Sequence, residues 1–175
     1  LIANNYYVTK RAQECIQNAK SIENAPTDQI VAFTNEENGH DRILRVGIES
    51  LNVNPENLSF FEESILMMNI LKSSSSRSDF FTGFCCLLTF FEGASYEEID
   101  SRADYLSKFP KYKIVGDCLQ KNKKINLIGN HFSKGLEFLK EYKPINYRQA
   151  VYAMRIFELI KMVNSKLLQK IAYED

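Results

Sequence analysis

Residues 30–51 read Ile30-Val31-Ala32-Phe33-Thr34-Asn35-Glu36-Glu37-Asn38-Gly39-His40-Asp41-Arg42-Ile43-Leu44-Arg45-Val46-Gly47-Ile48-Glu49-Ser50-Leu51. Ile30, Phe33, Glu37, His40, Leu44, Gly47 and Leu51 follow one another at spacings of 3, 4, 3, 4, 3 and 4. On an α-helix those positions form one continuous face, and a face otherwise so apolar belongs against a core. The stretch therefore reads as a long helix whose inner stripe carries a carboxylate and an imidazole at its centre.

The rest of the chain reads the same way. Only seven glycines and four prolines occur among 175 residues, and no Asn-Gly or Asp-Gly separates alternating runs, which speaks against hairpins. A first helix is expected over residues 2–22, ending before Asn24-Ala25-Pro26, and the second from Thr27 or Asp28 to about Leu51. Asn54-Pro55-Glu56 places a cap, a first-turn proline and an acid in order, opening a third helix to about Lys72. Ser78-Asp79 opens a fourth, very apolar helix to about Gly93, and the capping box Ser95-Tyr96-Glu97-Glu98 a fifth to about Phe109. Residues 111–122 fit no single pattern. A sixth helix covers about Lys124 to Tyr142, ended by Pro144, and a last one runs from about Tyr147 nearly to the end. The expected fold is one all-α domain over residues 1–175, a bundle of about seven helices.

Composition narrows the function. Lysine plus arginine equals aspartate plus glutamate at 22 each, so no basic excess marks a nucleic-acid partner. The short run Lys121, Lys123, Lys124 reads as a solvated loop or helix end. No apolar run approaches the roughly 20 residues that cross a bilayer, and nothing resembles a signal peptide. Cys15, Cys85, Cys86 and Cys118 show no metal-binding spacing. Reduced thiols and a cytoplasmic location are expected.

Two further stripes carry polar residues inward. Phe81, Cys85, Leu88 and Glu92 are spaced 4, 3 and 4, with Phe84, Leu87 and Phe91 beside them. Leu127, His131, Gly135, Phe138 and Tyr142 share a face, so both histidines of the chain lie on inner stripes. A buried carboxylate is costly unless paired, protonated or bound to a metal. One explanation is structural: Glu37 and His40 bond each other or lie at a bundle end, Glu92 reaches solvent at its helix end, and His131 is a satisfied core residue. The other is chemical. Two imidazoles with one or two carboxylates are what a non-heme iron or manganese site requires, and helical bundles build such sites from Glu-x-x-His units.

Asn35-Glu36-Glu37-Asn38-Gly39-His40-Asp41, the helix Phe84-Cys85-Cys86-Leu87-Leu88-Thr89-Phe90-Phe91-Glu92-Gly93 and Asn130-His131-Phe132 together resemble the heme oxygenase-like superfamily. The nearest branch is the CADD-like di-iron oxidases and oxygenases, with the PqqC and TenA branches related. The resemblance spans about residues 1–143 and implies a heme oxygenase-like bundle, with a further N-terminal segment before Leu1. It implies metal ligands at Glu37, His40, Glu92 and His131, converging on one interior cavity walled by Phe33, Cys85, Leu88, Gly135 and Phe138.

The match departs at three ligand positions. Phe33 stands where a carboxylate is common, Gly135 where the third motif has Asp, and Phe138 where it has a second His. The resemblance then implies at most one iron or manganese ion, and no heme.

Three activities follow as expectations: a metal-dependent oxidoreductase acting on a small organic substrate, a ligand- or partner-binding relative that has lost the di-iron site, or a metal-free enzyme of the TenA or PqqC kind. In the last, Glu37 or Glu92 would act as acid or base and Cys85 or Cys86 as nucleophile. The expected partner is a small molecule, with no nucleic acid or membrane, and a homodimer is left open.

Overall fold

The computed structural model describes residues 2–92, 99–142 and 145–173. Their regular structure is helical, with no strand among the described residues. In order come α1 (Ile2–Ala19), α2 (Thr27–Glu37), α3 (His40–Glu49), α4 (Glu62–Ser74), α5 (Phe81–Glu92), α6 (Ser101–Ser107), α7 (Lys113–Ile128), α8 (His131–Glu141) and α9 (Tyr147–Tyr173). Only two residues separate α2 from α3 and α7 from α8. Counting each pair as one broken helix gives the all-α bundle of about seven helices.

The helix expected unbroken from Thr27 to Leu51 is interrupted at Asn38 and Gly39. Gly39 has φ +98°, a left-handed conformation that glycine adopts at little cost and L-residues resist. Gln13 Nε2 of α1 donates to the Glu37 carbonyl at 2.6 Å, satisfying a backbone acceptor that the break frees. The inward stripe survives the break: Ile30, Phe33, Glu37, His40, Leu44 and Gly47 are buried and Leu51 is half-buried. The helix expected from Lys124 to Tyr142 is likewise two segments. It starts earlier, at Lys113, which resolves the ambiguous residues 111–122, and breaks at Asn130, whose φ is +52°.

The third helix also starts later than expected. Asn54 does cap, accepting from the Glu56 N–H at 3.0 Å, but it opens only a 3₁₀ turn at Pro55–Asn57. Leu58 and Phe61 are extended, and the Phe61 N–H donates to Asn4 Oδ1 at 3.0 Å, so α4 begins at Glu62. Asp100 caps α6, accepting from the N–H groups of Arg102 and Ala103. The expected capping box at residues 95–98 and the stop at Pro144 lie outside the described residues.

The apolar interior has two parts. The larger gathers α1, α2, α4, α5, α8 and α9 around Ile16, Phe33, Leu71, Phe84, Phe138 and Ile160. The smaller joins α1, α3, α6 and α7 through Tyr6, Leu44, Ile48, Ala103, Val115 and Leu119. Each broken helix crosses from one core to the other. Glu37 and His40 come between Phe33 and Leu44, and His131 between Leu119 and Phe138.

Candidate functional site

Both histidines open a helix immediately after a left-handed residue: His40 follows Gly39, and His131 follows Asn130. The breaks turn these side chains into the seam between the cores, where Glu37 ends α2. All three residues are buried, with 3%, 4% and 1% exposure for Glu37, His40 and His131. His131 Nδ1 lies 2.5 Å from Glu37 Oε1, and His40 Nδ1 lies 3.2 Å from Glu37 Oε2. The two imidazoles stack, their centroids 5.4 Å apart and their planes 12° from parallel.

One polar atom on each residue has no hydrogen-bond partner: Glu37 Oε1, His40 Nε2 and His131 Nδ1. The 2.5 Å approach is thus electrostatic rather than an aligned hydrogen bond. One donor atom from each residue can be chosen so that all three lie within 4.8 Å of one another. Atoms bound to a common ion at about 2.1 Å lie at most about 4.2 Å apart, so small side-chain rotations bring the trio to an ion. This buried group could hold a metal ion.

Burial raises the Glu37 carboxyl, but contact with His131 and then His40 outweighs it and brings it down to about 2. Glu37 is therefore ionised at neutral pH. Sequence reasoning missed the layer outside it. His131 Nε2 faces Glu36 Oε2 at 3.6 Å, and Lys134 Nζ approaches the same oxygen at 3.5 Å. The signal was present in the Glu36-Glu37 dipeptide, whose members lie on adjoining helix faces.

Glu92 stands apart from this trio. It lies with Glu37 and His40 on the lining of a cavity of about 390 Å³, to which α1, α6, α7 and α8 also contribute. Asn126 Nδ2 donates to Glu92 Oε2 at 3.1 Å. Burial, then the charge of Glu37, pushes the Glu92 carboxyl up to about 8. One cavity thus holds an ionised carboxylate and a protonated carboxylic acid.

Phe33, Cys85, Leu88, Gly135 and Phe138 are buried, and none is on the lining of this cavity. The Phe33 ring meets His131 edge-on at 5.0 Å and Phe138 at 6.1 Å. A Cβ at Gly135 would collide with the Cys85 carbonyl and the Thr89 hydroxyl, so this glycine lets α8 sit close on α5. Cys85 is wholly buried, and burial raises its thiol well above the usual range, the opposite of what a nucleophile needs. Cys86 is raised by burial as well.

Among the described residues, no helix is long and apolar enough to cross a membrane. Comparison with protein-family models, curated proteins and solved structures gives no match.

Proposed function

We propose that Glu37, His40 and His131 bind one iron or manganese ion, and that the chain is an oxidoreductase acting on a small organic substrate in the adjoining cavity. The observation that carries this is the unpartnered polar atom on each of the three buried residues. Glu36 opposite His131 Nε2 favours the proton on that nitrogen, leaving a lone pair at Nδ1. Nδ1 and the nearby Glu37 Oε1 are two donor atoms, 2.5 Å apart and without an aligned hydrogen bond, that an ion would take into its coordination sphere together. Two histidines and one carboxylate form the donor set that non-heme iron uses.

Such an ion would supply one-electron redox chemistry. The chain's own contribution is to place it. Phe33, Phe138 and the α5–α8 contact exclude water on the core side, while the 390 Å³ cavity leaves the other side open to substrate. Glu92, held as an acid, could donate a proton within that cavity. The resemblance to the heme oxygenase-like superfamily, nearest its CADD-like branch, belongs to the same proposal.

The alternative is a ligand-binding relative without redox chemistry. It is favoured by the closed packing at Gly135 and Phe138, which leaves no donor where a second ion would sit. Elemental analysis of protein purified without chelator separates the two. The metal reading expects close to one equivalent, lost in His40→Ala and His131→Ala. No metal in any of the three leaves the binding reading.

A further inference from the structure

Gly129 closes α7 with φ −73° and ψ −6°, right-handed values open to any residue. The backbone therefore does not ask for glycine there. The space beside it does. A Cβ at Gly129 would collide with Nε2 and Cδ2 of His131 and stand 3.4 Å from Cε1. The imidazole occupies the place where any other residue at 129 would carry its side chain.

The ring is held from its other sides as well. Phe33 meets it at 84° with centroids 5.0 Å apart, and His40 stacks on it at 5.4 Å. Nδ1 faces Glu37 Oε1, and His131 is 1% exposed. A side chain at 129 could enter only by driving the imidazole out of this packing or by shifting the end of α7.

The same contact sets which nitrogen faces the cluster. Gly129 stands at the C-terminal, negative end of α7, and Glu36 Oε2 lies 3.6 Å from Nε2. Both favour an N–H at Nε2, which leaves the lone pair of the neutral ring at Nδ1, on the side of Glu37.

We propose that Gly129 is a positioning residue, whose missing side chain is the seat that holds the His131 imidazole with Nδ1 turned toward Glu37. Its purpose rests on the metal reading above, but the seat itself is a property of the chain and is tested without metal.

Gly129→Ala is made in the full chain and again in His131→Ala. Beside the ring the added methyl should lower the thermal midpoint. Without the ring it should raise it, because alanine leaves the unfolded chain less freedom than glycine. A glycine needed only to end the helix would cost the same in both backgrounds. If Gly129→Ala alone does not fold, recovery of the fold in the double variant makes the same comparison. In metal-free protein the ¹⁵N resonances of the His131 ring should report a protonated Nε2 and a bare Nδ1, and should move in Gly129→Ala. Mn²⁺ should bind that variant about tenfold more weakly or worse, at least what loss of an outer partner costs.

An equal cost in both backgrounds, or ring resonances unmoved by Gly129→Ala, overturns the proposal. Wild-type protein that takes up no Mn²⁺, while the effect of Gly129→Ala still reverses between backgrounds, removes the ion and leaves the seat standing. Mn²⁺ bound equally well by wild type and Gly129→Ala does the reverse.

Discussion

His40 and His131 lie ring on ring, 5.4 Å between centroids, with the two oxygens of Glu37 reaching one imidazole each. Residues 91 positions apart in the chain thus share one carboxylate, and each owes its position to a single left-handed residue before it.

That carboxylate is the charge a cation would neutralise. Glu37→Gln keeps the shape and removes the charge, so metal affinity should fall by more than about 100-fold, beyond what loss of an outer partner costs. Glu36→Gln should fall less, by about 10- to 100-fold. Binding isotherms for Mn²⁺ decide both, and an affinity within twofold of wild type for Glu37→Gln refutes its role as a ligand.

Gly39 is required for its backbone and not for space, since nothing lies within 4 Å of where a Cβ would stand. Gly39→Ala should destabilise the fold by about 1–2 kcal/mol and Gly39→Asn by less, because asparagine tolerates the left-handed region better. Urea denaturation measures this. Equal midpoints for all three proteins would contradict the assignment.

An acid placed at Gly135 should not create a second metal position. Gly135→Ala already drives a Cβ into the Cys85 carbonyl and Thr89, an overpacking of about 1–3 kcal/mol. Gly135→Asp adds a buried charge and should cost more, with no gain in metal equivalents. A stable Gly135→Asp protein holding a second ion would show that α5 and α8 can part.

The chelator-treated protein should lose stability as pH rises from about 5 to 8. Glu92 has a folded pKa of about 8 against an ordinary 4.5, so between these values the folded state holds a proton that the unfolded state has released. Stability falls across that window and levels above it. Glu37 acts in the opposite sense: lowered from 4.5 to about 2, it contributes stability above 4.5 that disappears as pH falls through 2. Only Glu92 of this pair titrates between pH 5 and 8. Thermal midpoints for wild type and Glu92→Gln check it, and the substitution should flatten the slope.

The 3–4 spacing made the inward positions legible because burial follows helix period whatever interrupts the helix. Glu37, His40 and His131 were found that way, as polar residues on faces otherwise apolar. The interruptions were not legible. Gly39 has neighbours on both sides that suit a helix, and its φ is set by the crossing between two cores. Glu36 escaped for a different reason: it is half out in solvent, and only the fold brings it against His131. Residues 111–122 were ambiguous because Gly116 weakens a helical reading, although it lets α7 pack against Ala103 and Ser107.

The seam also has a consequence for unfolding cooperativity. Two oily compartments that met only through apolar surface could slip or open one at a time, as contacts without direction tolerate sliding. Here the two connections between them, at 37–40 and 129–131, are cross-braced by Glu37, one oxygen of which lies against each imidazole. The brace makes the halves yield together, and loosening it would let the smaller compartment melt before the larger.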